Sequence, residues 1–93
     1  MYYVYIIESI ASKRYYIGQT QNLKARIGRH NSGRNLSTKA WLPWELKWWK
    51  EFETRAEAIK TEKKIKGIKK REGIKSFMID NKFRGVAQPG PDK

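Results

Sequence analysis

The run Tyr2–Glu8, YYVYIIE, constrains the fold of this chain more than any other segment, because its first six residues are all β-branched or aromatic and leave no polar face. Such a run suits a strand covered on both sides, at the centre of a sheet. A second β-rich run, Arg14–Gly18 (RYYIG), follows a polar stretch that contains Ser9, Ser12 and Lys13, and the two runs are predicted to pair as an antiparallel hairpin. With the turn centred near Ile10 and Ala11, paired positions sum to about 21, which sets Tyr5 opposite Tyr16 with both side chains on one face. A slip of one residue would separate them.

Gly18 reads as the end of the second strand, and Thr20 or Asn22 is available to accept from free backbone donors at a helix start. Leu23–His30 is predicted as a short helix with Leu23 and Ile27 facing inward. Arg26 and His30, also four apart, lie on the adjacent stripe and are expected along the rim. Asn31–Lys39, rich in Asn, Ser, Gly and Thr, reads as an exposed loop. Glu45–Phe52 (ELKWWKEF) alternates poorly, yet Pro43 opposes a helix there and the aromatics favour a third strand. Thr54-Arg-Ala-Glu57 matches a capping box, opening a helix over Thr54–Lys66. After Gly67, a further helix is expected over Ile68–Phe83, with Ile74, Phe77 and Met78 covering the sheet and Gly73 as a weak point. The text from Arg84, RGVAQPGPDK, reads as a disordered tail. The elements read as three strands interleaved with three helices, an α+β chain, with one domain over residues 1–83 and a tail over 84–93.

Composition narrows the function. Ninety-three residues, 39% hydrophobic and 13% aromatic, supply one modest core and exclude both a second domain and intrinsic disorder. The absence of cysteine excludes disulfide scaffolds, zinc fingers and thiol nucleophiles, and leaves carboxylates, one histidine or water to hold any metal. No apolar run approaches a membrane span, and Met1–Ser9 is too short and too uncharged for a signal peptide, so a cytoplasmic protein without membrane association is expected. Twenty-one Lys and Arg against nine Asp and Glu give a formal charge of +12, for which nucleic acid is the first partner to consider. Lys60–Lys75 concentrates that charge, with eight basic and two acidic residues; Lys60, Lys63, Lys64, Lys66, Lys69, Lys70 and Arg71 are the candidates for phosphate contact. A solvated helix face is the plain alternative, although mixed signs would serve solubility as well. Trp41, Trp44, Trp48 and Trp49 are first of all core material.

Four further positions carry chemistry only in company. Glu62, three residues from both Ile59 and Ile65, falls on the inward face of its helix, where an unpaired carboxylate is costly; pairing with Lys66 at i+4 is the ordinary resolution. His30 is a lone histidine, most simply a hydrogen-bonded one, but beside Arg26 it makes a pair able to hold a phosphate and move a proton. Tyr5 and Tyr16 are ordinary strand residues when taken singly.

Together, Tyr3-Val4-Tyr5, Tyr16-Ile17-Gly18, Asn22-Leu23, Arg26, His30 and Glu62 closely resemble the GIY-YIG nuclease domain, in order and in spacing, from Tyr3 to about Lys70. The chain looks like the small stand-alone members of that family, similar to the N-terminal nuclease domain of the bacterial excinuclease. The resemblance implies an α+β fold with a three-stranded antiparallel sheet flanked by helices, and phosphodiester hydrolysis assisted by one divalent ion, Mg²⁺ or Mn²⁺. Tyr5 and Tyr16 would be the paired tyrosines, Arg26 the transition-state cation, His30 the proton handler and Glu62 the metal ligand. Such roles are chemically sensible, since an anionic diester gathers charge on its oxygens in the transition state and needs cations there. A tyrosine base has a reference pKa of about 10 against it, an obstacle that neighbouring cations reduce. Tyr16 is favoured as base, with Tyr5 as a positioning donor. The sequence departs from the family at Tyr3, in place of the glycine that names the first motif, and at Gln19, in place of a lysine. The leading expectation is a metal-dependent endonuclease acting on DNA, directed by DNA structure or serving repair, monomeric unless a protein partner is needed. The alternative is a nucleic-acid-binding adaptor with the same fold and little catalysis.

Overall fold

The computed structural model describes residues 1–81. The expected tail lies outside the described residues, while the last helix, expected to reach Phe83, closes at Asp80 with Asn81 as its cap. The elements run in the order β1 (Tyr2–Ser9), β2 (Tyr15–Thr20), α1 (Leu23–Asn31), a short 3-10 turn (Lys39–Trp41), β3 (Trp44–Phe52), α2 (Arg55–Lys66) and α3 (Arg71–Asp80). The strands form one antiparallel sheet of order β2-β1-β3, so the strand with no polar face is the central one. Its alternation sends Val4 and Ile6 to one side and Tyr3, Tyr5 and Ile7 to the other.

The first side is an apolar core in which Val4, Ile6, Ile17 and Trp48 meet Ala58 and Ile65 of α2 and Ile74 of α3. Phe77 and Met78 pack against it as expected, Phe77 edge-on to Trp48 at 5.3 Å between ring centroids. The second side is covered by α1 through Leu23 and Ile27, together with Trp44 and the partly buried Trp41 and Trp49. Poor alternation in β3 has a local cause. Ile6 pairs with Trp48 but Ile7 pairs with Leu46, and the bulge at Lys47 lets Leu46 and Trp49 face one side while Trp48 faces the other.

Four expectations need correction. The hairpin pairs Tyr5 with Gly18 and Ile7 with Tyr16, two residues from the predicted register. The turn is longer than expected: Ser9 N–H donates to Arg14 O at 2.8 Å across a four-residue loop whose last member, Lys13, takes the left-handed conformation at φ 65°. A shift of two keeps Tyr5 and Tyr16 on one face, where a shift of one would not. Gly18 does not end β2, which continues to Thr20. The segment 31–39 is only partly a surface loop: Asn31 closes α1, and Thr38 is fully buried. The final helix begins at Arg71, not Ile68; Ile68 packs into the core, and its Cγ2 would lie 2.5 Å from a β-carbon on Gly73, so that glycine allows close approach.

The helix starts follow the sequence chemistry. Asn22 caps α1 by accepting from Ala25 N–H at 3.0 Å, and Thr20 Oγ1 accepts from Asn22 N–H at 3.1 Å, so both candidates act. Thr54 caps α2 by accepting from Glu57 N–H at 3.2 Å. Glu8, at the far end of β1, is held by Arg71 at 2.7 Å and Lys47 at 3.7 Å. Burial pushes its carboxyl up, but Arg71, Lys47 and Lys13 outweigh this and hold it below the usual range. Among the described residues no helix is long and apolar enough to cross a membrane.

Candidate active site

The sheet brings the two tyrosines together because cross-strand pairing fixes both on the α1 side. Tyr5, directly opposite Gly18, lays its ring over that residue: a β-carbon on Gly18 would stand 2.5 Å from the Tyr5 hydroxyl oxygen and 2.7 Å from Cζ. The glycine of the Tyr16-Ile17-Gly18 motif is thus required by the tyrosine of the first motif. Tyr16, diagonal to Tyr5, has its ring centroid 6.5 Å away.

Helix α1 adds Arg26 and His30 one turn apart. His30 is not on the rim as its stripe suggested; it is fully buried, with its ring edge-on to Tyr5 at 5.8 Å and to Tyr16 at 5.0 Å. Helix spacing alone could not show this, because the cover comes from the fold-back of residues 31–44. Asn31 clamps the backbone of Trp44 from both sides, donating to its carbonyl at 3.0 Å and accepting from its N–H at 2.7 Å, and Trp44 Nε1 donates to Thr38 O at 2.9 Å. Thr38, absent from the sequence-predicted site, lies against His30 Nδ1 at 2.9 Å, while His30 Nε2 is 2.9 Å from the Tyr5 hydroxyl. A threonine in a polar loop carries no sequence signal that separates it from a surface residue.

Glu62 reaches the site from the opposite side of the sheet. Because β2 is an edge strand, α1 and α2 meet around it, and the Gln19 side chain, pointing to the α2 side, donates through Nε2 to Glu62 Oε1 at 2.8 Å. The carbonyl of Gln19 accepts from Arg26 Nη1 at 3.4 Å, so this residue links the cation to the carboxylate. Both sequence readings of Glu62 hold together: it is largely covered, and its Oε2 pairs with Lys66 Nζ at 2.9 Å. Gln19 is the second residue whose part is not readable from sequence, although its position departs from the family pattern.

The electrostatics divide the cluster. Burial pushes the Tyr5 phenol up to about 12, against the opposing hydrogen bond and charge of Arg26. Burial, then the positive charges of Arg26 and Arg29, hold His30 below the ordinary histidine value of 6.5. Tyr5 is therefore a neutral phenol and His30 a neutral imidazole at pH 7. Tyr16, Arg26, Gln19 and Glu62 are partly buried, each keeping some surface in contact with solvent, and form the accessible edge in front of them. Two hollows of about 410 and 430 Å³, one bordered by Tyr3, Asn22 and Trp49 and the other by Glu8, Lys47 and Arg71, contain none of the five predicted residues. An open edge of this kind suits a polymer better than a small molecule.

Of the predicted phosphate-contacting residues, Lys60, Lys63, Lys64, Lys66, Lys69 and Lys70 are exposed. Arg71 is committed to the fold: it pairs with Glu8, donates to the Lys13 carbonyl and stacks on Tyr15 at 4.6 Å.

Comparison with known proteins agrees with this arrangement. The GIY-YIG catalytic domain family matches residues 1–75. A UPF0213 protein of Streptococcus pneumoniae is 34% identical over 85 residues, covering 90% of this chain and 84% of its own. One from Halobacterium salinarum is 32% identical over 69 residues, 73% of this chain and 88% of its own. The solution structure of the UPF0213 protein of Bacillus halodurans matches with a TM-score of 0.54 and 30% identity, over 88% of this chain and 86% of that one. With its two tyrosine motifs paired across a hairpin and both flanking helices meeting at the hairpin's free edge, the chain belongs to the GIY-YIG family.

Proposed function

We propose that this protein is a divalent-metal-dependent endonuclease that hydrolyses phosphodiester bonds in DNA. The observation that carries the proposal is the convergence of Arg26 and Glu62, joined through Gln19, beside the accessible Tyr16 at one sheet edge. The scissile phosphate lies along this edge, where the Arg26 guanidinium neutralises charge as it builds on the phosphoryl oxygens. Water attacks phosphorus as Tyr16, acting as phenolate, takes one of its protons, and the P–O bond to the leaving nucleotide breaks, its oxygen taking a proton from solvent. Tyr5 and His30, buried and neutral, form the fixed support behind Arg26 and Tyr16.

The donor chemistry at Glu62 fits a hard ion. Among the described residues no group of three or more His, Cys, Asp or Glu side chains forms a protein cage, and Mg²⁺ characteristically takes one or two carboxylates and completes its shell with water and substrate phosphate. The Lys66 ammonium on Oε2 already marks the position as one that favours positive charge, and its exposed stem is free to swing away. Glu62 would hold the ion, which when bound supplies Lewis-acid neutralisation of the phosphate. The exposed lysines between Lys60 and Lys70 grip the backbone on either side of the cut.

The test is cleavage of labelled single-stranded, duplex, flapped and four-way-junction DNA with Mg²⁺, Mn²⁺ or chelator, using the parent and Arg26→Ala. Metal-dependent product from the parent alone is expected, and the substrate panel ranks structure preference. Salt-sensitive binding with no product on any substrate would instead favour the adaptor.

A further inference from the structure

We infer that Thr38 is a positioning residue of the active site, setting the His30 tautomer and, through it, the direction of the Tyr5 hydroxyl. The three side chains are each fully buried, so each polar atom must find its partner within the protein. Thr38 Oγ1 also lies 3.5 Å from Asn35 O, an atom that only accepts, and directing the hydroxyl proton there leaves a lone pair facing His30. His30 Nδ1, 2.9 Å from that lone pair, must then carry the imidazole proton. Its Nε2 is left as an acceptor, and the Tyr5 phenol donates to it at 2.9 Å. The Tyr5 oxygen then keeps its lone pairs free of His30, and the positive charge of Arg26 opposes the upward push that burial gives the phenol.

Reversing one link reverses the chain. With Nε2 protonated, His30 would donate to Tyr5, and the buried phenol proton would lose its acceptor. Thr38 thus orients the Tyr5 hydroxyl from one side chain away, through His30. Thr38→Val removes the acceptor at equal volume and keeps the Thr38 backbone contacts with Trp44 Nε1 and Asn35 O.

Long-range proton–nitrogen NMR correlations on the full ¹⁵N-histidine-labelled chain read the tautomer directly, since His30 is the one histidine. The parent is expected to show Nδ1–H, Thr38→Val to shift toward Nε2–H, and Thr38→Ser to restore the parent pattern. The catalytic half rests on the nuclease reading: kcat should fall of order 10–100-fold in Thr38→Val with KM unchanged, the scale for losing a group that orients a functional side chain, and Thr38→Ser should recover it. A parent in the Nε2–H form, a folded Thr38→Val that keeps both the Nδ1–H pattern and the parent kcat, or a Thr38→Ser that fails to rescue would each overturn the inference. If the parent cuts nothing while showing the predicted tautomers, the nuclease reading fails and the positioning of His30 by Thr38 stands.

Discussion

The two sides of the sheet bury comparable parts of the same central strand by different means. On the α2–α3 side, Val4 and Ile6 meet Ile17, Trp48, Ala58, Ile65 and Ile74, so burial of apolar area supplies most of the stability, with Trp48 Nε1 donating to Asn81 O at 3.2 Å as a directional contact. On the α1 side, Tyr5, His30 and Thr38 are as fully buried, and each requires a hydrogen bond in a defined direction. The apolar side tolerates changes that conserve volume, whereas on the polar side a change that keeps volume but removes a donor or acceptor leaves a buried partner unpaired. The hydrophobic side makes the platform rigid, and the hydrogen-bonded side uses that rigidity to aim groups at the edge where the sheet ends.

The comparison breaks most severely at the edge itself. Arg26→Ala is expected to lower cleavage at least a hundredfold, on the scale of losing one preorganised electrostatic contact to the transition state, with the thermal midpoint near that of the parent. Trp48→Ala, on the apolar side, should do the opposite, costing about 3–5 kcal/mol in urea unfolding while leaving activity per folded molecule close to normal. Gly18→Ala tests the seam between platform and site: the added methyl collides with the Tyr5 ring and should cost about 1–3 kcal/mol in the same measurement. It should also reduce kcat, because Tyr5 must move.

A smaller effect sharpens the account of the polar side. His30 has a depressed folded-state pKa, so below the ordinary value of 6.5 the unfolded chain takes up a proton that the native one refuses. Its contribution to stability is present above that value and is lost as pH falls from 6.5 toward the native pKa. Urea unfolding between about pH 7.5 and about pH 5 should therefore show a steeper loss in the parent than in His30→Gln. The smallest expected change is in binding: Lys63→Gln should lower the slope of log affinity against log salt by about 0.9, the value for one duplex phosphate contact.

Which parts of this arrangement are legible in the sequence follows from the range of the forces involved. Six β-branched and aromatic residues in a row identify β1 as central, and Thr54 with Glu57 identifies the start of α2, because each signal is complete within a few residues. The hairpin register differs by two from its expectation, because Lys13 adopts a left-handed conformation that composition does not announce, yet the face of both tyrosines survives since side chains alternate with period two. The β3 bulge is visible only as poor alternation. Burial of His30 and Thr38 is not legible at all: it depends on Asn31 capturing the backbone of Trp44, thirteen residues away, and no local pattern encodes that closure. At Glu62 the helix-face argument and the Lys66 pairing look like rivals, and in the folded chain one oxygen goes to Lys66 while the other goes to Gln19.

The most direct test of the central claim compares the parent with Glu62→Ala in one experiment, measuring DNA binding and cleavage in parallel with Mg²⁺ and with chelator. The account predicts that both proteins bind, that only the parent cuts, and that chelator reduces the parent to the level of the variant. Cleavage by Glu62→Ala at the parent rate, or cutting by the parent that chelator leaves unchanged, would contradict it.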